Sequence, residues 1–305
     1  MRILTLFLDG IGLGDDDPES NPFAIADTPV MRSLANGNRW LAATGFQRSE
    51  RSVFIPTDPR LGVPGRPQSG SGQASLLTGL NVPKLIGRHY GPKPEATTRE
   101  IIARHSYFKR LARRGLSARH LTAYPAGLLA DFARGKTLRS SVQQAAFESG
   151  ALHFSLDDVI ARRALTAEWT TDSWRRHLKI DCLPDYSPCD AGRMLAQLSR
   201  SYDFAFHSHW LTDRIGHRGT LARGVEILER FDQVLHGLLD EWRDDEGLIV
   251  ITSDHGNMED LSTRRHTMND VPTVVIGTRA PEYAAGYRSL TDFVPACDRM
   301  LVGKA

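Results

Sequence analysis

The chain has 305 residues, which is long enough for one large folded domain or two smaller ones. Apolar residues make up 41% and charged residues 24%, which are ordinary values for a globular protein. The formal net charge of +2 implies no strong field for nucleic acid or a membrane, and no apolar stretch approaches the ~20 residues of a membrane span. Three cysteines without a CxxC pair indicate neither a disulfide framework nor a cysteine-rich zinc site, and they fit a cytoplasmic protein best.

The first predicted element is a buried strand at residues 2–8, where a short apolar run ends at Asp9 and so does not read as a secretory signal. Three similar runs bounded by turn residues predict strands at residues 202–209, 247–254 and 272–277. Helical patterns lie between them, the clearest over residues 221–242. Strands that alternate with helices indicate an α/β fold, with a mostly parallel sheet sandwiched by helices.

The middle of the chain has a different composition. Residues 90–197 are rich in Arg and largely helical in pattern, so we interpret them as a small inserted cap between two halves of the core, at residues 1–89 and 198–305. The basic helical pattern at residues 99–115 is expected to be a solvated face and not a nucleic-acid surface, because no comparable basic stripe accompanies it.

Acidic and imidazole side chains recur at the predicted strand ends, where open α/β sheets place their ligands. Each alone has an ordinary explanation as a helix cap or a satisfied core histidine. Together they offer mixed oxygen and nitrogen ligands, which suit Zn or Mn. The set consists of Asp9, Asp213, His217, Asp254, His255 and His266.

A glycine- and hydroxyl-rich loop, "PQSGSGQASLLTG" at residues 67–79, raises three alternatives: a phosphate cradle, a flexible linker, or a loop that presents a nucleophile. It lacks the G-K-[ST] ending of a P-loop and the G-x-G-x-x-G spacing of a dinucleotide fold.

Five motifs occur in an order that resembles the alkaline phosphatase superfamily: "LFLDGIG", the serine-bearing glycine loop, "DRIGH", "TSDHGNMED" and "RHTMNDVPTVVIG". They look most like its mutase branch, the cofactor-independent phosphoglycerate mutases and phosphopentomutases. The stretch "NPFAIADTPVMRSL" at residues 21–34 is also similar to those mutases. The resemblance covers roughly residues 1–85 and 198–305.

The resemblance implies two adjacent divalent metal ions, Mn or Zn, and a serine nucleophile. One metal would be held by Asp9, Asp254, His255 and the hydroxyl of Ser69, and the other by Asp213, His217 and His266. Coordination lowers the pKa of a serine hydroxyl and makes its alkoxide accessible, which suits Ser69 for attack on phosphorus. A sulfatase is disfavoured, because Ser stands where sulfatases carry Cys and no Pro-Ser-Arg follows it.

Phosphate would be met by the backbone N–H groups of Gly70 to Gly72 at the start of a helix. Gln73 departs from the pattern, because the mutases commonly have His at this position, and we expect it to contact substrate. The phosphate charge would then be met by a basic side chain near the loop or after His217. The candidates are Arg66, Arg88, His89 and Arg218, each of which is otherwise a solvated surface group.

Three further predictions concern residues outside the motifs. Residues 86–102 would form a substrate lip that holds Lys93 and other cations above the metal site, or else an ordinary basic linker. His207 and His209 share one strand face and are less expected as ligands, since both metal sites are already filled. His153 has no motif context.

The sequence therefore predicts a metal-dependent phosphoryl-transfer enzyme that acts on a small phosphorylated metabolite through a phosphoserine, as a phosphomutase or a phosphomonoester hydrolase. One alternative is a phosphodiesterase or phosphonate hydrolase on the same two-metal site. Another is a metal-binding protein without catalysis. Neither the substrate nor the oligomeric state follows from the sequence.

Overall fold

The strand β1 (Arg2–Leu8) lies in the middle of the sheet, because its apolar residues are buried on both faces. A computed structural model describes residues 1–151 and 154–303, so His153 lies outside the described residues. The other strands are β2 (Gln47–Arg48), β3 (Ser52–Thr57), β4 (Ala118–His120), β5 (Phe204–His209), β6 (Gly247–Thr252) and β7 (Val271–Ile276).

The seven strands form one sheet in the order β2-β3-β7-β6-β1-β5-β4. The run β6-β1-β5-β4 is parallel throughout, whereas β7 is antiparallel to both β6 and β3, and β2 is antiparallel to β3. Five strands therefore point one way, which confirms the predicted mostly parallel sheet. All four predicted strands are present, with ends within two residues of the prediction.

Helices cover both faces of the sheet. In the described residues they are α1 (Pro22–Ile25), α2 (Pro29–Leu34), α3 (Ser69–Thr78), α4 (Val82–Ile86), α5 (Ala96–His105), α6 (Tyr107–Arg113), α7 (Ala126–Ala133), α8 (Ser141–Phe147), α9 (Leu156–Ile160), α10 (Asp172–Leu178), α11 (Pro188–Ser199), α12 (Leu211–Arg218), α13 (Leu221–Glu241), α14 (Ala280–Ala284) and α15 (Phe293–Leu301).

The core divides along β1 by the alternation of its side chains. Leu4 and Leu6 belong to an apolar cluster with residues of α11 and α13. Ile3 and Phe7 point to the opposite face and belong to a second cluster with residues of α3 and α15. The sheet is therefore buried on both sides, as its continuous apolar strands predict.

The segment at residues 90–197 is tied to the main sheet and to α3. Its strand β4 pairs in parallel with β5, and its helices α5 and α8 contact α3. The basic helical pattern at residues 99–115 is interrupted at Ser106, where α5 ends and α6 begins. The predicted boundaries of a separate cap stay a prediction.

Two further observations concern the cysteines and the helices. Cys182, Cys189 and Cys297 are all free. In the described part of the chain, every helix is too short or too polar to cross a bilayer.

The crossing of α11 and α13 depends on glycine. A Cβ atom on Gly192 would come within 2.0 Å of the Val234 carbonyl oxygen, and one on Gly237 within 1.9 Å of the Cys189 carbonyl oxygen. The two backbones thus approach more closely than any side chain allows.

We expect Gly192→Ala to lower the free energy of unfolding by about 1–3 kcal/mol, because the added methyl group must push α11 and α13 apart. Gly127→Ala on α7 is the matched control, since a Cβ atom there meets open space. That control should stabilise the protein by up to about 1 kcal/mol. Chemical denaturation measures both, and equal effects would contradict this account of the crossing.

Candidate metal centre

The carboxyl ends of three neighbouring parallel strands bring the predicted ligands together. Asp9 directly follows β1, and Asp254 and His255 follow β6 after one intervening residue. The helix α12, which begins two residues after β5, carries Asp213 and His217 one turn apart. Since β5, β1 and β6 are adjacent, these side chains converge at one edge of the sheet.

One group of side chains surrounds the hydroxyl of Ser69, the first residue of α3. Its Oγ lies 2.9 Å from His255 Nε2. The same Nε2 lies 3.5 Å from Asp9 Oδ1 and 3.5 Å from Asp254 Oδ2. The predicted nucleophile and its three predicted co-ligands are therefore one cluster.

A second group contains Asp213, His217 and His266. The two imidazole Nε2 atoms are 3.1 Å apart. They lie 3.4 Å and 3.5 Å from Asp213 Oδ1, respectively. The rings of His255 and His266 stack with centroids 3.7 Å apart, so the two groups are contiguous. Asp213 is also close enough to share a cation with Asp9 and His255.

Backbone carbonyls fix the orientation of the three imidazole rings through their Nδ1 atoms. Nδ1 of His266 lies 2.8 Å from the Pro67 carbonyl oxygen, and Nδ1 of His217 lies 3.1 Å from that of Arg264. Nδ1 of His255 lies 3.3 Å from the Gly256 carbonyl oxygen. A carbonyl can only accept, so each Nδ1 carries a proton, and in a neutral ring the Nε2 directs its lone pair into the cluster.

Carboxylates and imidazole lone pairs that are held this close together are stable only when positive charge lies between them. When both rings are neutral, lone pairs on His217 and His266 face each other, and Asp9 Oδ1 is buried with no hydrogen-bond partner among the described residues. Burial raises the pKa of Asp9 well above its usual range, and the charges of Asp254 and Asp213 raise it further. These donors fit a divalent cation of the Zn or Mn type.

The pKa shifts in the second group also indicate that positive charge is favoured there. Burial alone would raise the pKa of Asp213, but hydrogen bonds from His266 and Asn257 and the neighbouring imidazoles lower it overall. Burial alone would lower the pKa of His266, but Asp213 raises it overall. The Asp213 carboxylate thus stabilises a positive charge at this point.

Gln73 lies behind the carboxylates. Its Nε2 donates to Asp9 Oδ2 at 3.0 Å and to Asp254 Oδ2 at 3.1 Å. Its Oε1 accepts from the Val142 N–H at 3.4 Å, which fixes the orientation of the amide. The side chain therefore bridges two candidate ligands. Its predicted contact with substrate stays a prediction, although it also lines the neighbouring cavity.

Two residues of this site were missed by the sequence reasoning. Asn257 Nδ2 donates to Asp213 Oδ1 at 2.8 Å. Glu259 is fully buried and accepts from the N–H groups of Gly12 and Asn257 at 2.9 Å and 2.7 Å, and from the side chains of Thr267 and Asn269. Both stand inside the "TSDHGNMED" motif, a signal that they accompany its ligands.

The predicted phosphate donors are only partly free. The Ser71 N–H donates to the Tyr90 carbonyl at 2.8 Å, and the Gly72 N–H donates to that of Gln68 at 2.8 Å. Among the described hydrogen bonds, the Gly70 N–H is the member of this set that is not used. It lies in the first turn of α3, beside Ser69.

The predicted arginines do not line the cavity that contains Ser69. Arg66 donates to the His266 carbonyl at 2.7 Å, and Arg88 pairs with Glu95 at 2.6 Å. Arg218 lines a separate cleft of about 310 Å³. His89 lies against the Arg60 and Val63 carbonyls. Their roles toward substrate stay predictions.

His207 and His209 are core residues. His207 Nε2 lies 3.1 Å from the Thr166 carbonyl oxygen, and His209 stacks on Trp169 with ring centroids 4.0 Å apart. Burial lowers the pKa of His207 to about 4 and that of His209 to about 3. Both imidazoles are therefore neutral at pH 7.

A cavity of about 570 Å³ opens beside the metal centre. Ser69, Asp9, Gln73 and Asp213 lie on its wall, and Lys93 is a cation on the same wall. The ammonium of Lys93 is near enough to the Asp9 carboxylate to lower the pKa of that acid slightly. Of the basic residues predicted near the glycine loop, Lys93 is thus the one that faces this cavity.

Comparison with known proteins agrees with this architecture. A family described as the Metalloenzyme superfamily matches residues 188–293. The 2,3-bisphosphoglycerate-independent phosphoglycerate mutase of Methylobacillus flagellatus is 32% identical over 113 residues, which are 35% of this chain and 22% of that enzyme. The chain thus spans about a fifth of the length of the curated relatives it matches.

Two solved structures share the fold. The alkaline phosphatase of the Antarctic bacterium TAB5 superposes with a TM-score of 0.54 and 13% identity, covering 100% of this chain and 99% of that one. The phosphoglycerate mutase of Leishmania mexicana superposes with a TM-score of 0.51 and 12% identity, covering 99% and 95%.

The sheet has the fold of the alkaline phosphatases, the predicted ligands cluster at its carboxyl edge, and residues 188–293 match the Metalloenzyme superfamily. Over the matched residues, the sequence is similar to the 2,3-bisphosphoglycerate-independent phosphoglycerate mutases. The resemblance noted from the motifs is confirmed.

We expect Asp9→Asn to raise the melting temperature of the metal-free protein, because ionised Asp9 faces two like charges and its raised pKa means that ionisation disfavours the folded state at pH 7. The same change should abolish the further rise caused by Mn or Zn, which is worth about 2.7 kcal/mol at one hundred times Kd. Thermal unfolding with and without metal measures both. Asp245→Asn, at an exposed carboxylate, is the control. A normal metal-induced rise in Asp9→Asn would contradict the ligand assignment.

We expect Gln73→Leu to weaken metal binding by about 10- to 100-fold, because it removes both N–H donors that orient Asp9 and Asp254. Metal titration by calorimetry is the measurement. Gln197→Leu changes an exposed glutamine on α11 in the same way and should leave metal affinity unaltered. Unaltered affinity in Gln73→Leu would mean that the bridge does not support the ligands.

Proposed function

We propose that this chain is a metal-dependent phosphoryl-transfer enzyme that hydrolyses a phosphate monoester through a phosphoserine on Ser69. The observation that carries the proposal is the position of the Ser69 hydroxyl. It is buried at the start of α3, 2.9 Å from His255 Nε2, and it lines the cavity beside the carboxylate cluster. No other hydroxyl in the described residues shares the contact with His255 Nε2.

Two divalent cations, Mn or Zn, belong to this proposal. Asp9, Asp254, His255 and Ser69 would hold one, and Asp213, His217 and His266 the other. When bound, such cations lower the pKa of a coordinated hydroxyl and neutralise charge on the transferring phosphoryl group. The orphaned Asp9 oxygen and the facing Nε2 lone pairs of His217 and His266 support this assignment.

The chain's own residues then account for the transfer. Ser69 Oγ loses its proton and forms a bond to phosphorus while the bond between phosphorus and the substrate oxygen breaks, and that oxygen takes up a proton and leaves as an alcohol. The Gly70 N–H, at the positive end of α3, and the Lys93 ammonium bind the phosphoryl oxygens. Water next attacks the phosphoserine, which releases inorganic phosphate and regenerates the Ser69 hydroxyl.

Hydrolysis is favoured by the way the segment at residues 90–197 is fixed to the nucleophile helix. The Ser141 hydroxyl donates to the Gly70 carbonyl at 2.6 Å, and the Val142 N–H donates to Gln73. A mutase must close over the dephosphorylated intermediate and hold it while it reorients. A wall bonded to α3 in this way is suited to a fixed pocket that water can enter.

A phosphomutase is the second candidate, and the observation that favours it is the similarity over 113 residues to phosphoglycerate mutases. Free phosphate and isomer, measured side by side on sugar and glycerate phosphates, separate the two. Stoichiometric phosphate without isomer supports the hydrolase. Isomer without phosphate release would overturn that part of the proposal.

We expect Ser69→Ala to lose more than about a thousandfold in kcat, as the loss of a nucleophile does. Mass spectrometry of protein quenched during turnover should find phosphate on Ser69 in the unchanged chain and on no residue in Ser69→Ala. Ser71→Ala, two residues along the same loop, should still be phosphorylated at Ser69. Full activity in Ser69→Ala would sink the mechanism, and metal retention without phosphoserine would favour a non-catalytic metal-binding protein.

A further inference from the structure

The cavity beside Ser69 is much more apolar than a site for a small, highly charged metabolite. Away from the metal centre its walls consist mainly of hydrocarbon and aromatic side chains, which are Phe7, Tyr124, Leu128, Val142, Trp174, Leu178 and Trp210. Its volume of about 570 Å³ falls in the ~300–1,000 Å³ range of cavities that enclose drug-sized ligands. A three-carbon phosphate would leave most of this space unfilled.

The charged groups of the cavity do not suit a second anion on the substrate. Lys93 stands near the reacting end, where the phosphoryl group needs it. Of the other ionisable lining residues, Arg214 and His177 are exposed and also line the neighbouring cleft, burial lowers the pKa of His209 to about 3, and Glu168 is an acid. A substrate carboxylate that lies away from Arg214 and His177 would therefore meet Glu168 and apolar walls, where a buried charge without a partner is costly.

Two lining side chains are unusually exposed for their type. Trp210 is 45% exposed and Leu178 is 42% exposed, and both border the cavity. Apolar surface gains free energy when a ligand removes it from water. Leu178 ends α10 and Trp210 directly follows β5, so a hydrocarbon group in the cavity would cover apolar surface from two separate elements.

We propose, on the basis of the function argued above, that the substrate is a phosphate monoester of a bulky, mostly apolar alcohol. The phosphoryl group lies at Ser69, Lys93 and the metal ligands. The hydrocarbon part fills the space between Tyr124, Trp174, Leu178 and Trp210. Most of this apolar wall comes from residues 90–197, so that segment determines which alcohol is accepted.

Binding of n-alkylphosphonates from methyl to octyl to the metal-loaded protein tests this proposal without turnover. Each added methylene should raise the association constant about fourfold until the cavity is filled, from ~0.8 kcal/mol per buried methylene. Calorimetry measures the series. An affinity that does not depend on chain length, or 3-phosphoglycerate competing better than octylphosphonate, would overturn the proposal.

A pair of leucine variants tests where the hydrocarbon chain of the ligand lies. Leu178→Ala should lower the affinity for octylphosphonate about fivefold and leave that for methylphosphonate unchanged, because only the longer chain reaches it. Leu85→Ala is the matched control, since Leu85 is 60% exposed on α4 and does not line the cavity. Equal behaviour of the two variants would contradict the placement of the hydrocarbon chain.

A turnover assay distinguishes failure of this substrate proposal from failure of the proposed function. Phosphate release from alkyl phosphates at Ser69 without a chain-length trend would overturn the substrate class alone. A chain-length trend in binding without any turnover of phosphate esters would overturn the phosphoryl-transfer function and support the apolar ligand class.

Discussion

Repulsion among three carboxylates dominates the carboxyl edge of this sheet. Asp9, Asp213 and Asp254 are held within a few ångströms of each other and of imidazole lone pairs, an arrangement that is unfavourable unless positive charge lies between them. The surrounding residues hold these side chains in place despite the repulsion. Gln73 and Asn257 donate hydrogen bonds to the carboxylates, and backbone carbonyls hold the protonated Nδ1 atoms of three histidines, so that every remaining lone pair faces one volume.

The chemistry and the pocket come from different parts of the chain. The candidate ligands and Ser69 lie on residues 1–89 and 198–305, at the ends of β1, β5 and β6 and the start of α3. Most of the cavity wall comes from residues 90–197, which add β4 to the edge of the same sheet. Hydrogen bonds from Ser141 and Val142 join the two parts at α3, so the position of the pocket is fixed relative to Ser69.

Much of this arrangement could be predicted from the sequence, because its signals are local. Four buried strands stand out as apolar runs, and Asp9, Asp213, His217, Asp254 and His255 follow strands whose ends must meet. The strand β3 escaped prediction, because Pro56 interrupts its pattern and its partner β7 lies more than 200 residues away. The strand β4 has only three residues.

The partners of long or polar side chains could not be predicted, because they depend on how distant segments pack. Arg88 pairs with Glu95 and Arg66 reaches the His266 carbonyl, although both flank the glycine loop in sequence. Gln73 donates hydrogen bonds to the carboxylates of Asp9 and Asp254, which its place in the glycine loop does not indicate, and its contact with substrate stays a prediction. His207 Nε2 and His209 Nδ1 lie against the Thr166 and Ala167 carbonyls.

Glu259 has a consequence for how the centre is assembled. This one buried carboxylate accepts hydrogen bonds from the loop that follows β1 and from both ends of the connection between β6 and β7, and thereby fastens these segments to each other. The candidate ligands are consequently positioned by the polypeptide itself, and a bound cation would complete a scaffold that is already folded. Metal exchange would then be a local event, unlike that in zinc fingers, whose fold is lost together with the ion.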